Sequence, residues 1–198
     1  MPRSPSPNRP PASAGADRTG QVLLAIARAA IAEELLGADP PVVEQSLAWL
    51  HEDGASFVTL TTGGAPRGCI GTLEAFRPLH ADVRENAHAA AFRDRRFPRL
   101  TAPELDETSI AVSVLSAVTP MPVTDEADAR ARLRPHVDGV VLTCGRRRAT
   151  FLPRVWAHVP DAEEFLALLK RKAGLPALFW SDEVRLSRYT VVEYHEGG

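Results

Sequence analysis

The sequence predicts an α+β fold, a mostly antiparallel sheet with flanking helices, and three observations predict it. Strand-like segments come in pairs around glycine turns. Helical segments follow those pairs without the regular alternation that builds a parallel sheet. The chain has 198 residues, 44% of them hydrophobic, which is enough to bury a core without disulfide or metal staples.

Each element has its own signal. Val22, Leu23, Ile26, Ala29, Ala30 and Leu35 recur at helical spacing, so residues 19–36 form the first helix, stopped by Gly37 and Pro40-Pro41. Residues 42–51 are a candidate short helix. Residues 55–61 and 67–73 pair as a hairpin around Gly63-Gly64, which supply the positive φ of a tight turn. Pro78 opens a helix whose Leu79, Val83, Ala87, Ala90 and Ala91 share one side and whose end is marked by Pro98; the small residues predict close packing on a sheet. Residues 108–115 alternate small polar with branched apolar side chains and form a strand buried through Ile110, Val112 and Val114. Pro120 and Pro122 then break the chain, and residues 125–133 form a short exposed helix. A second hairpin joins 137–143 to 148–152 around Cys144-Gly145-Arg146. Asp161 caps a helix that buries Phe165, Leu168 and Leu169 and ends at Gly174, and the last strand runs over 184–194.

Composition narrows the function classes. The formal net charge is -2, so no global basic field drives nucleic-acid binding. Of 23 basic residues only Lys170 and Lys172 are lysine, which makes the positive surface almost wholly guanidinium, suited to carboxylate or phosphate. Two cysteines give neither a zinc site nor a disulfide framework, so a reducing cytoplasm is the default location. Residues 1–16, rich in Pro, Ser, Ala and Arg, read as a disordered tail ahead of a single domain over 17–196. No window approaches the roughly 20 apolar residues of a membrane span.

The most informative segment is Arg67-Gly68-Cys69-Ile70-Gly71, closed by Thr72. Alternation along a strand puts Arg67, Cys69 and Gly71 on one surface and Ile70 on the other. Read for chemistry, Cys69 is a candidate nucleophile, Arg67 the cation that favours its thiolate, and Gly71 an opening for substrate. Read for packing, Cys69 is a small core residue, and Gly68 and Gly71 serve a bulge or a close strand contact. The segment Arg93-Asp94-Arg95-Arg96-Phe97-Pro98-Arg99 is either an anion-binding lip or a solvated turn at a helix end. Arg146-Arg147-Arg148 admits the same two readings. His80 and His88 share a helix stripe with Arg84 but stand eight residues, about 12 Å, apart, too far to chelate one ion. His51, His136, His158 and His195 read as solvated. Phosphate-loop, dinucleotide and nucleophile-elbow signatures are absent.

The ordered series Ala55-Ser56-Phe57-Val58-Thr59-Leu60, Arg67-Gly68-Cys69-Ile70-Gly71-Thr72, Arg96-Phe97-Pro98, Val112-Ser113-Val114-Leu115-Ser116, Leu152-Pro153-Arg154-Val155-Trp156, Phe165-Leu166, Lys172-Ala173-Gly174-Leu175 and Arg188-Tyr189 resembles the AMMECR-type domain, protein A of the AmmeMemoRadiSam system. The resemblance runs from about Thr19 to Glu193. It departs from the family at Arg95, where many relatives have proline, at Arg154, where they have glutamine, and at Ala111, where they have an acidic or polar residue. It implies a larger and a smaller lobe, intimately packed, with the Arg-Gly-Cys-Ile-Gly segment near a cleft between them. It also implies a Memo-like protein and a radical S-adenosylmethionine enzyme as partners. It implies no particular reaction or cofactor.

Together these give a leading expectation: a small anionic ligand or modified substrate meets Cys69 and Arg67, with Gly68, Gly71, Thr72, Asp94, Arg96 and Phe97 as binding residues and no metal. Two rivals stand beside it. One is a non-catalytic adaptor in the same system. The other is nucleic-acid binding through Arg95, Arg96, Arg99 and Arg146-Arg147-Arg148.

Overall fold

The first helix buries a stripe at the spacing its sequence sets. The structure, a computed structural model, describes residues 16–37, 39 and 47–196, and α1 spans Ala16–Leu36. Leu23, Ile26, Ala27, Ala30 and Ile31 are each at most 4% exposed, and Gly37 follows at a φ of 64°. The expected tail lies outside the described residues up to position 15; Ala16 is helical. Of the candidate helix over 42–51, residues 42–46 lie outside them, and Ala48–His51 forms α2.

The described residues fall into two compact units, residues up to Leu115 with those from Val192, and Ser116–Val191. In the first, β1 (Ser56–Thr62) and β2 (Ala65–Gly71) form the expected hairpin, followed by α3 (Leu79–Phe92), α4 (Ala102–Leu105) and β3 (Thr108–Leu115). With β8 (Val191–His195) the strands order β2-β1-β3-β8, and β1 pairs antiparallel with both neighbours. Val58, Leu60, Ile110 and Val112 turn one face into a single cluster with Leu23, Ile31, Val83, Ala87 and Ala90 of α1 and α3. The alternate residues Phe57, Thr59, Cys69, Ala111 and Ser113 lie on the face turned away from both helices.

The second unit orders β4-β7-β5-β6, with β4 Thr119–Met121, β5 Gly139–Cys144, β6 Arg147–Phe151 and β7 Arg185–Tyr189. Two helices accompany it, α5 (Glu126–Arg132) and α6 (Ala162–Lys172). The sequence expects a break at Pro120, yet Pro120 sits within β4, at the sheet edge where a missing N–H costs no ladder bond. The predicted cap is present: the Asp161 carboxylate accepts from Glu164 N at 2.9 Å. Phe165 of α6 stacks on the fully buried Trp156 at 3.7 Å, and the indole N–H donates to the Asp138 carbonyl at 2.7 Å.

One expectation is corrected at the C-terminus. The single strand over 184–194 is two, β7 in the second unit's sheet and β8 in the first unit's, parting at Thr190, whose N–H and carbonyl bond to Ser116. Alternation continues through the switch, so the letters carry no signal of it.

Candidate functional site

The Arg-Gly-Cys-Ile-Gly segment occupies β2, an edge strand, and each of its residues has a distinct local environment. Between Leu60 and Thr61 the β1–β2 register slips, Leu60 facing Gly68 and Thr61 facing Pro66, so Arg67 is the extra residue of a bulge. The strict alternation that would set Arg67 beside Cys69 therefore fails there. The Arg67 guanidinium, nearly buried, donates Nε to Glu104 Oε1 at 3.0 Å and Nη1 to the Pro98 carbonyl at 2.8 Å. Its Nη2 reaches the Arg99 carbonyl and Glu104 Oε2, each at 3.2 Å. Arg67 thus anchors the loop after α3, where the sequence assigns it to the thiol. Bonds from Arg67, then from Thr101, hold the Glu104 carboxyl down to about 2.

Gly68 lies under α3, where a methyl carbon would meet the Ala90 carbonyl oxygen at 2.3 Å. Gly71 is seated beneath Phe57, whose Cγ would be 2.2 Å from a Cβ there. The space that the sequence reads as an opening for substrate is therefore filled by a phenyl ring. Thr72 donates its hydroxyl to Asp82, and that fully buried carboxylate also accepts Ser56 N at 2.8 Å, Ser56 Oγ at 2.7 Å, Asn86 Nδ2 at 2.9 Å and Arg77 Nε at 2.9 Å. Sequence reasoning misses this network: it assigns Thr72 to ligand binding, and Asp82 and Asn86, which join Thr72 to Ser56, belong to no motif.

Cys69 is held differently. Its backbone N–H donates to Asp94 Oδ2 at 2.9 Å, and its carbonyl accepts from Arg96 Nη2 at 3.2 Å. On this open edge the two side chains stand where a further strand would pair, which shields the edge. Asp94 and Arg96 also bind each other, Nη2 to Oδ2 at 2.6 Å and Nε to Oδ1 at 3.0 Å. The guanidinium, first through its hydrogen bonds, holds the Asp94 carboxyl far below the usual carboxylate range, and Asp94 in turn raises Arg96. The Asp94 side chain is 4% exposed and that of Arg96 is 63% exposed, leaning over the Phe97 ring at 5.3 Å. This brings Asp94 and Arg96 to the Cys69 backbone, with Phe97 under the Arg96 guanidinium.

The thiol itself is half-buried on the face turned away from α1 and α3 and accepts a hydrogen bond from Thr59 Oγ1 at 3.4 Å. Thr59 faces Cys69 on β2 and Ala111 on β3, so the three form one cross-sheet row. Farther along, Ser113 Oγ donates to Glu193 Oε1 at 3.2 Å, and Glu193 Oε2 lies 3.6 Å from His195 Nε2. Glu193 is three strand spacings, about 14 Å backbone to backbone, from Cys69, too far to take its proton directly. His80 stands against His51 at 5.0 Å, and burial, then His51, lowers its pKa; His88 packs on Phe92 at 4.9 Å.

The arginines of the nucleic-acid reading are in part committed. Arg99 binds Glu34 at 2.8 Å and lies over Phe92 at 5.0 Å, and Arg147 donates to the Gly174 carbonyl at 2.6 Å. Among the described residues no helix is long and apolar enough to cross a membrane.

Comparison with known proteins converges on one family. The AMMECR1 family model matches residues 24–194. A protein of Methanothermobacter thermautotrophicus is 39% identical over 184 residues, covering 90% of this chain and 95% of its own. One from Thermotoga maritima is 42% identical over 141 residues, 70% of this chain and 76% of its own. The crystal structure of uncharacterized protein PH0010 from Pyrococcus horikoshii matches with a TM-score of 0.81 at 29% identity, covering 90% of this chain and 92% of that one.

Proposed function

The chain belongs to the AMMECR1 family, and from that premise we propose that it binds a small anionic ligand or modified substrate at β2, on the face turned away from α1 and α3. Cys69 is the contacting or reacting thiol, and Arg96 with Phe97 forms the anion-facing side. One observation carries this reading. Arg67 braces a loop, Gly68 admits a helix, Ile70 joins the core and Gly71 seats a ring, so packing accounts for four of the five motif residues. The Cys69 backbone is clamped as well, which leaves the half-buried thiol, bonded by Thr59, as the motif group whose chemistry goes beyond packing. Arg96 takes the role first given to Arg67, because it is the exposed guanidinium bonded at Cys69.

Family membership supports a general association with the AmmeMemoRadiSam system. Within it, a Memo-like protein and a radical S-adenosylmethionine enzyme are the proposed partners. The adaptor reading remains the alternative, since a motif so largely used for packing also suits a docking scaffold.

The test is alkylation of a Cys144→Ser protein with neutral iodoacetamide and anionic iodoacetate. A reactive site gives Cys69 a rate above that of a free thiol and a preference for the anion that Arg96→Met removes. A Cys69 no faster than free cysteine at every pH rejects the nucleophile role. Retention of partner binding and cellular function by Cys69→Ser would then favour the adaptor.

A further inference from the structure

We infer that Thr59 is a positioning residue for Cys69, its hydroxyl donating to the sulfur and favouring the thiolate; this rests on the reading of Cys69 as a reactive group. Sequence gives Thr59 no such role, since it lies ten residues away in an ordinary strand pattern. The register makes the pair: Thr59 on β1 stands directly opposite Cys69, and Oγ1 lies 3.4 Å from Sγ.

Three features make this contact suited to holding a nucleophile. Strand β1 is paired on both sides, so the backbone beneath Thr59 is fixed by two ladders. The hydroxyl oxygen lies within bonding distance of the sulfur, and its O–H turns to suit that acceptor, a geometry that serine can also supply. Asp94 and Arg96 meanwhile clamp the Cys69 backbone from the sheet edge, so the residue is fixed along its main chain and at its sulfur by separate groups. A hydroxyl proton directed at sulfur stabilises the anion more than the neutral thiol.

The donor leaves a signature that a packing role does not. Removing it lowers the thiolate fraction near neutral pH, yet each remaining thiolate becomes a stronger nucleophile, with a Brønsted slope of about 0.4–0.5. In the Cys144→Ser background, iodoacetamide alkylation forms the carbon–sulfur bond, expels iodide and leaves the thiol proton with solvent. If the hydroxyl favours the thiolate about tenfold, that slope makes Thr59→Val about threefold slower than its parent near pH 7 and up to about threefold faster once both are fully ionised, the curves crossing between. Thr59→Ser, which keeps the hydroxyl, should follow the parent.

Equal loss in Thr59→Val and Thr59→Ser, or a uniform loss at all pH values, would overturn the inference in favour of packing. A parallel, unshifted profile in Thr59→Val would overturn it outright. If instead the parent protein reacts no faster than free cysteine, the nucleophile reading fails first and this one with it. A rapid parent with an unaltered Thr59→Val sinks only the role of Thr59.

Discussion

Replacing Gly68 with alanine tests whether this glycine exists for α3 or for a ligand. The added methyl carbon would lie 2.3 Å from the Ala90 carbonyl oxygen and 3.1 Å from its carbon. A carbon–oxygen contact needs about 3.3 Å, so the helix would have to retreat by about 1 Å. The obstacle is backbone, and no rotamer change relieves it. Near its first turn α3 is held by the Asp82 network, and just beyond its end by Asp94 on Cys69 N, so a retreat strains both. Overpacking of this kind costs about 1–3 kcal/mol, and the fixed ends place Gly68→Ala near 3 kcal/mol. Urea unfolding followed by circular dichroism should show that fall with little change in slope. Gly64→Ala is the control, having nothing within 4 Å but a φ of 80°, with a strain of about 1–2 kcal/mol. A Gly68→Ala protein within about 0.5 kcal/mol of the parent would refute close packing as the reason for this residue.

Two further outcomes follow from the contacts of Arg67. Lysine at position 67 offers three donors from one nitrogen where the planar Arg67 fork makes four bonds, so Arg67→Lys should lose about 1–2 kcal/mol of stability while Cys69 alkylation stays within about twofold. A large fall in alkylation at unchanged stability would return Arg67 to the thiol. Glu104 sets the acid side: its folded carboxyl titrates at about 2 against an ordinary 4.5, so its contribution is complete above 4.5 and is lost as pH falls toward 2. Denaturation midpoints between about pH 6 and pH 2.5 should show Glu104→Gln less stable than the parent at the upper end, the gap closing with acid; a constant gap would contradict that linkage.

Local pattern was sufficient for most elements because it acts within a few residues. The helical spacing of Leu23 to Ile31, the strand at 108–115, the Asp161 cap and the glycine turns were all legible. So was the packing of the alanines of α3 on a sheet. The motif stood out in the letters, while the bonds that bring Asp94 and Arg96 to the Cys69 backbone came from the fold. What alternation misassigned was direction. One bulged residue reverses the phase of a strand, so Arg67 went to the loop and its supposed neighbour to another partner. The transfer of residues 191–195 into the first unit's sheet was equally invisible, since either sheet accepts the same alternating letters.

By itself, then, the chain determined which segments coil, which extend, and which family they compose. Only tertiary structure decided who stands around the motif: Thr59 at the sulfur across the ladder, Arg96 from a loop onto the Cys69 carbonyl, Phe57 over Gly71. Neighbours of that kind are fixed by register and by the approach of backbones distant in sequence. Those are collective properties of the assembled sheet, and no single stretch of residues encodes them.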